Sequence, residues 1–138
     1  MTLVDTGPLV ALCDSHDSLH RRAVTHLQRL VGQELHICEA VLVETCFHLP
    51  HAAQRRRLRA LLEEFGFGFI SATSDHTFWM DVFDWLAKYA NHEPDWADAC
   101  LAVLSGRHPK ATVWTYDREF RTIWRRLDGS TVPMAVRS

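Results

Sequence analysis

Thr2-Leu3-Val4-Asp5-Thr6-Gly7-Pro8 runs from strand-forming residues straight into an acid, a hydroxyl, a glycine and a proline. Leu9, Val10, Leu12 and Cys13 follow with helical spacing. The stretch reads as a buried strand that presents Asp5 at its C-terminal end, a turn at Thr6-Gly7, and a helix opened by Pro8. In open α/β sheets, ligands sit in the crevice beyond the C-terminal ends of the strands. A carboxylate there is costly unless a cation or hydrogen-bond donors compensate it. Capping the helix behind it is the other reading of Asp5.

The same grammar recurs along the chain. Ser18 to Val31 carries Leu19, Ala23, Leu27, Leu30 and Val31 at helical spacing, with His20 and Arg21 on the solvent side. His16 and His20 lie four apart, but no third metal ligand accompanies them. Leu35 to Cys38 reads as a second strand, and a helix follows from Glu39 until Pro50 stops it. Glu44 lies at the edge of its apolar stripe. His51 to Phe65 is another amphipathic helix, with Arg55, Arg56, Arg57 and Arg59 outward. Gly66 to Ile70 is a short third strand. Ser74 or Asp75 caps the next helix, which runs to about Ala90. Trp79 and Phe83 make that helix apolar nearly all round, which suits either a filled core or a self-association surface.

Pro94 opens a helix of small and apolar residues whose first turn holds Asp95 and Asp98. The helix dipole favours acids there. Asp98, however, sits among Ala97, Ala99 and Cys100, where a charge is out of place unless something needs it. Ala111 to Thr115 is a fourth strand, and Tyr116-Asp117 leads into a helix carrying Arg121, Arg125 and Arg126. Thr131 to Val136 reads as a last edge strand interrupted by Pro133. Helices alternating with short strands argue for a parallel sheet covered on both faces.

Composition bounds the rest. With 138 residues, 47% hydrophobic and 23% charged, the chain reads as one soluble domain, residues 1–138, not a disordered segment. No apolar run approaches the roughly 20 residues of a membrane span. No secretory leader is visible, so the expectation is a cytosolic protein. Cys13, Cys38, Cys46 and Cys100 sit in apolar segments without finger-like spacing and read as buried reduced thiols. A net charge of −2 neither announces nor excludes a nucleic-acid binder, since the arginines are clustered.

Asp5 and Asp117 each leave a strand end, Glu44 follows the second strand, and Asp98 opens the helix before the fourth. Crossover connections can bring all four to one edge of the sheet. Four carboxylates sharing a small site need a cation. Oxygen-only ligation suits Mg²⁺ or Mn²⁺, ions that polarise phosphoryl oxygens and activate water. The residues alone thus point to a metal site and to phosphodiester chemistry.

The blocks Leu3 to Leu12, the Glu44 helix, Asp95-Trp96-Ala97-Asp98-Ala99, and Trp114 to Phe120 resemble, in order, the signature blocks of PIN-domain ribonucleases. More narrowly, they are similar to the VapC toxins of bacterial toxin–antitoxin pairs. The resemblance spans nearly the whole chain. It implies a PIN-like three-layer α/β fold with a mainly parallel sheet of about five strands between helices. It implies Mg²⁺- or Mn²⁺-dependent cleavage of RNA, a homodimer, and inhibition by a small antitoxin. By this resemblance Asp5, Glu44, Asp98 and Asp117 match the acidic quartet that is catalytic and metal-holding. Thr115 matches a supporting hydroxyl, with Thr6 and Asp95 in lesser supporting roles. The arginines at Arg55, Arg56, Arg121 and Arg125 would contact RNA phosphates, or else form solvated helix faces. Two alternatives stay open: a PIN-fold binding module without catalysis, and a housekeeping PIN nuclease outside any toxin–antitoxin pair. The Asp-Thr-Gly triplet also opens aspartic protease sites, but those folds are all-β and this chain is largely helical. A receiver-type phosphoaspartate site would want a well-placed lysine, and Lys88 and Lys110 are not.

Overall fold

A computed structural model describes residues 1–71 and 75–137. The elements in order are β1 (Thr2–Val4), α1 (Thr6–Cys13), α2 (His20–Leu30), β2 (Leu35–Cys38), α3 (Glu39–His48) and α4 (Ala52–Glu64). Then come β3 (Gly68–Ile70), α5 (His76–Lys88), α6 (Trp96–Arg107), β4 (Thr112–Trp114) and α7 (Glu119–Thr122). The sheet order is β3-β2-β1-β4, and every pairing is parallel. β1 is central and fully buried, as expected of a strand covered on both faces. The chain first builds outward from β1 to β2 and β3, then returns to place β4 on the other side of β1. The strand order therefore reverses between β1 and β4, and that is where such sheets open a crevice.

Helices flank the sheet. α1 packs on α2, α3 and α4, α5 packs on α6, and α3 meets α6. A second concentration of buried bulk ties α5 to the C-terminal segment. Trp85 and Trp124 are fully buried with ring centroids 5.2 Å apart, and Tyr89 lies 4.6 Å from Trp85. The Trp85 indole donates to the Arg125 carbonyl at 2.7 Å, while the buried Trp124 indole N–H has no hydrogen-bond partner.

Gly68, the first residue of β3, stands opposite His36 of β2. A Cβ at this position would stand 2.5 Å from His36 Nε2 on the neighbouring strand β2. The imidazole occupies the space that any side chain would need.

The structure departs from the sequence reading in four places. The sheet has four strands among the described residues, not about five. Thr131 to Val136 makes only isolated bridges, Arg125 with Thr131 and Val113 with Met134. Pro133 has no amide to donate, yet its carbonyl accepts from Val113 at 2.8 Å, so the segment still shields the β4 edge. The helix expected to carry Arg121 to Arg126 ends at Thr122, because the chain turns to bury Trp124 and the Arg125 amide then donates to the Tyr89 hydroxyl. His20 is not simply solvated: its Nδ1 donates to the Ala11 carbonyl at 2.7 Å and pins the start of α2 to α1. At the start of α5 the cap is Asp75, which accepts from the Phe78 amide, while Ser74 lies outside the described residues.

The four cysteines are free thiols, as expected, with Cys46 only half-buried. Burial pushes Cys13 up to about 11 and Cys100 up to about 12, so neither is a ready nucleophile.

Candidate active site

Asp5 is the residue immediately after β1, and its amide donates to the Trp114 carbonyl at 2.9 Å, lashing it to the end of β4. Its carboxylate is 7% exposed and compensated twice. Oδ1 accepts from the Thr6 amide at 2.7 Å, and Oδ2 accepts from the Thr115 hydroxyl at 2.7 Å. Asp5 therefore does cap α1, and it also faces the crevice. Burial lifts its carboxyl from 3.8 to about 6. The two hydrogen bonds oppose that rise, and the charges of Glu44 and Asp117 add to it.

Thr115 is buried and bonded on both sides. While its hydroxyl donates to Asp5, the Asp117 amide donates back to the Thr115 Oγ1 at 3.0 Å. Asp117 Oδ1 in turn accepts from the Glu119 amide at 2.9 Å, which shapes the turn into α7. One hydroxyl thus sets the spacing between two acids.

Asp95 and Asp98 begin α6 as a reciprocal capping pair. The Asp98 amide donates to Asp95 Oδ1 at 2.7 Å, and the Asp95 amide reaches Asp98 Oδ2 at 3.4 Å. The approach is set by Glu93, whose φ of 49° lies in the left-handed region, followed by Pro94. Asp98 is half-buried, and its carboxyl is pushed up to about 8. Burial is the largest cause, followed by the charges of Asp95, Asp5 and Asp117. Glu44, on α3, is raised from its ordinary value by burial and by Asp95. The nearby Thr6 hydroxyl eases that shift, although Thr6 Oγ1 makes no hydrogen bond of ordinary geometry. His48, one turn along α3, has Nε2 3.9 Å from Glu44.

These residues line one open cleft of about 370 Å³. It brings together Asp5, Glu44, Asp98 and Asp117 with Thr6 and Asp95. Among the described residues no three His, Cys, Asp or Glu side chains close into a tight cage for one ion. The donor set nonetheless fits a hard divalent cation. It is all oxygen, it carries more negative charge than it compensates, and it leaves the buried Thr6 hydroxyl unpartnered. An open carboxylate cleft suits an ion that keeps several waters and completes its shell with substrate phosphate.

The arginines expected to meet RNA lie outside this cleft. Arg55 donates to the Cys46 carbonyl at 3.0 Å, Arg121 to the Val136 carbonyl at 2.9 Å, and Arg125 to the Trp124 carbonyl at 3.0 Å. Each of those three serves the fold, while Arg56 points into solvent. The sequence reading did not single out Tyr116, Asp17, Val10 or Leu19, which also line the cleft. For Tyr116 the signal was present, since it lies between Thr115 and Asp117.

The PIN domain family profile matches residues 2–125, a span that contains every acid of the cleft. The chain belongs to the PIN-domain family. Among solved structures it resembles VapC20 of Mycobacterium tuberculosis, a toxin that cleaves the sarcin-ricin loop. That likeness has a TM-score of 0.70 at 19% identity, covering 88% of this chain and 94% of VapC20, and it establishes a shared fold. A search of curated proteins finds no match. As a PIN domain, the chain has its acidic cleft where the family resemblance expects nuclease chemistry.

Proposed function

We propose that this protein is a Mg²⁺- or Mn²⁺-dependent endoribonuclease, the toxin of a type II toxin–antitoxin pair. The observation that carries the reading is the convergence of Asp5, Glu44, Asp98 and Asp117, from four separate elements, on one cleft beyond the C-terminal ends of β1 and β4. Membership of the PIN family and the fold shared with VapC20 support it.

In this reading Asp5, Glu44, Asp98 and Asp117 would hold the ion. A divalent ion there supplies charge compensation at the phosphate and a lowered pKa for water. The chain's own part is positioning. Thr115 fixes the separation of Asp5 and Asp117 and keeps an Asp5 oxygen oriented. The Asp95–Asp98 pair fixes the start of α6, so that the Asp98 carboxylate reaches the cleft without a loop to order first. A carboxylate not occupied by the ion is placed to orient the attacking water and take its proton.

The partners are an RNA substrate, a small antitoxin and a second copy of the chain. Beside the acidic cleft lies an apolar groove of about 650 Å³, lined by residues including Val43, Phe47, Ile70, Trp79 and Trp96. Glu44 and Asp95 border both depressions, so a protein seated in the groove would also cover the acids. No helix among the described residues is long and apolar enough to cross a membrane, which is consistent with the cytosolic site of action proposed here.

The test is cleavage of a mixed RNA pool with Mg²⁺, Mn²⁺ or EDTA, for wild type, Asp5→Asn and Asp98→Asn. Cutting that needs the metal and is lost in both folded variants supports the ribonuclease. A folded, metal-loaded wild type that cuts nothing in a broad pool removes generic nuclease activity and favours a binding module.

A further inference from the structure

Tyr116 stands in the wall of the acidic cleft, against Gly7, where a Cβ would lie 3.9 Å from the tyrosine's own Cβ. Its ring is fixed from three directions. The hydroxyl shares a 2.8 Å hydrogen bond with His26 Nδ1 on α2. The indole of Trp114 meets it edge-on at 6.3 Å and 89°. The guanidinium of Arg22 lies over its face, 5.6 Å from the ring centroid.

Arg22 is exposed and makes no ion pair among the described residues. It precedes His26 by four residues and Arg29 by seven, so the three share one face of α2. Both guanidiniums lie close enough to His26 to lower its pKa, after the effect of burial. On this face of α2, Arg22 and Arg29 are two cations without carboxylate partners among the described residues, and Arg22 is held against an aromatic ring that is part of the cleft wall.

We propose that Arg22, positioned by Tyr116 and His26, binds the RNA phosphate next to the scissile one, with Arg29 continuing the track along α2. This rests on the ribonuclease reading above and names the part of that site that holds the substrate backbone. The logic is electrostatic. A cleft of carboxylates repels a polyanion everywhere except at its metal, so the backbone on either side needs cations at the rim. Arg22 supplies one whose position is set before the RNA arrives. The stacked guanidinium has less side-chain freedom to lose on binding than a freely rotating one. Tyr116 and His26 act through Arg22 and are positioning residues.

The experiment is fluorescence anisotropy of a labelled single-stranded RNA of mixed sequence, titrated over a range of salt in the Asp5→Asn background, where cleavage is off. Arg22→Ala is expected to weaken binding about tenfold and to flatten the slope of log K against log salt by about 0.7, the share of one phosphate contact on a single strand. Arg22→Lys restores the slope, because the charge returns. Tyr116→Leu weakens binding while Arg22 keeps its charge. Arg21→Ala, on the same helix but not over the ring, leaves affinity and slope unchanged. If Arg22→Ala binds with the parent's affinity and slope, or if Arg21→Ala loses as much, the subsite is wrong and the ribonuclease reading stands. If the parent binds no RNA at any salt, the subsite is wrong, while the ribonuclease reading is decided by the cleavage assay with metal-loaded wild type.

Discussion

Thr115 donates its hydroxyl to Asp5 Oδ2 across 2.7 Å, joining residues 110 positions apart, and Thr115 Oγ1 in turn accepts from the Asp117 amide. This one atom turns two strand ends into one site. It also lowers the Asp5 pKa against the effect of burial, and so keeps that carboxylate available to a cation. Thr115→Val keeps the shape and removes the link. We expect loss of about 10- to 100-fold in metal affinity or cleavage rate, the range seen when a partner of a metal-holding carboxylate is removed. A stability loss of about 1 kcal/mol should accompany it. Thr115→Ser should restore most of both. Isothermal titration with Mn²⁺ and urea unfolding check the two halves separately, and unchanged Mn²⁺ affinity in the valine variant would exclude the bridging role.

Asp5 and Asp98 titrate higher in the folded chain than the ordinary 3.8, at about 6 and about 8. Their neutral forms therefore favour folding. That contribution is fully present below the ordinary aspartate range and is lost as pH rises through each folded pKa. Metal-free protein should lose melting temperature as pH rises from the ordinary 3.8, steeply while both acids contribute, more gently beyond about 6, and no further beyond about 8. Asp98→Asn removes the charge and should flatten the decline between about 6 and about 8, raising the metal-free melting temperature at alkaline pH. Added Mn²⁺ should stabilise the wild type most at high pH, where the carboxylates are ionised and need it. Melting curves across pH, with and without Mn²⁺, give the answer. A wild type that becomes more stable with rising pH in EDTA would contradict this picture of the cleft.

Three of the four acids carry a strong local signal in the sequence, and Glu44, at the edge of an apolar stripe, does not. Asp5 and Asp117 stand between a strand and a helix, and Asp98 interrupts a run of small buried residues. The sheet followed from the same alternation. What local pattern could not supply was the fate of long side chains and of the tail. Arg121 and Arg125 look like surface cations in the sequence, yet they donate to the carbonyls of Val136 and Trp124. Thr131 to Val136 has strand composition, but Pro133 limits it to isolated bridges. Tyr116, the residue between two recognised ones, needed the helix α2 beside it before its partners His26 and Arg22 could be seen. Each of these depends on contacts distant in sequence, and periodicity does not encode them.

Gly68 and His36 are a second pair fixed by space. Since a Cβ at Gly68 would come within 2.6 Å of His36 Cδ2 and closer still to Nε2, Gly68→Ala must displace the imidazole or the β2–β3 pairing. A loss of roughly 1–3 kcal/mol is expected, the usual range for overpacking. His36→Ala in the same chain should recover much of it by emptying the space. Urea unfolding of the two single variants and the double variant measures the coupling. Additive losses would mean that the two residues do not compete for this volume.

The exposed aromatics on α5 offer a test of the proposed homodimer. Trp79 is 45% and Phe83 55% exposed, while on α3 Val43 and Phe47 reach 65% and 79%. Phe83 stacks edge-on against Trp96 at 5.3 Å, so part of this surface is already ordered and would lose little entropy on association. An apolar surface of this kind is costly to leave in water and is characteristic of a contact face. Wild type should sediment as a dimer at micromolar concentration. Trp79→Asp with Phe83→Asp should shift it to monomer while the melting temperature of the metal-loaded protein at low concentration stays within a few degrees, because neither side chain is in the core. A wild type that stays monomeric throughout would remove the homodimer.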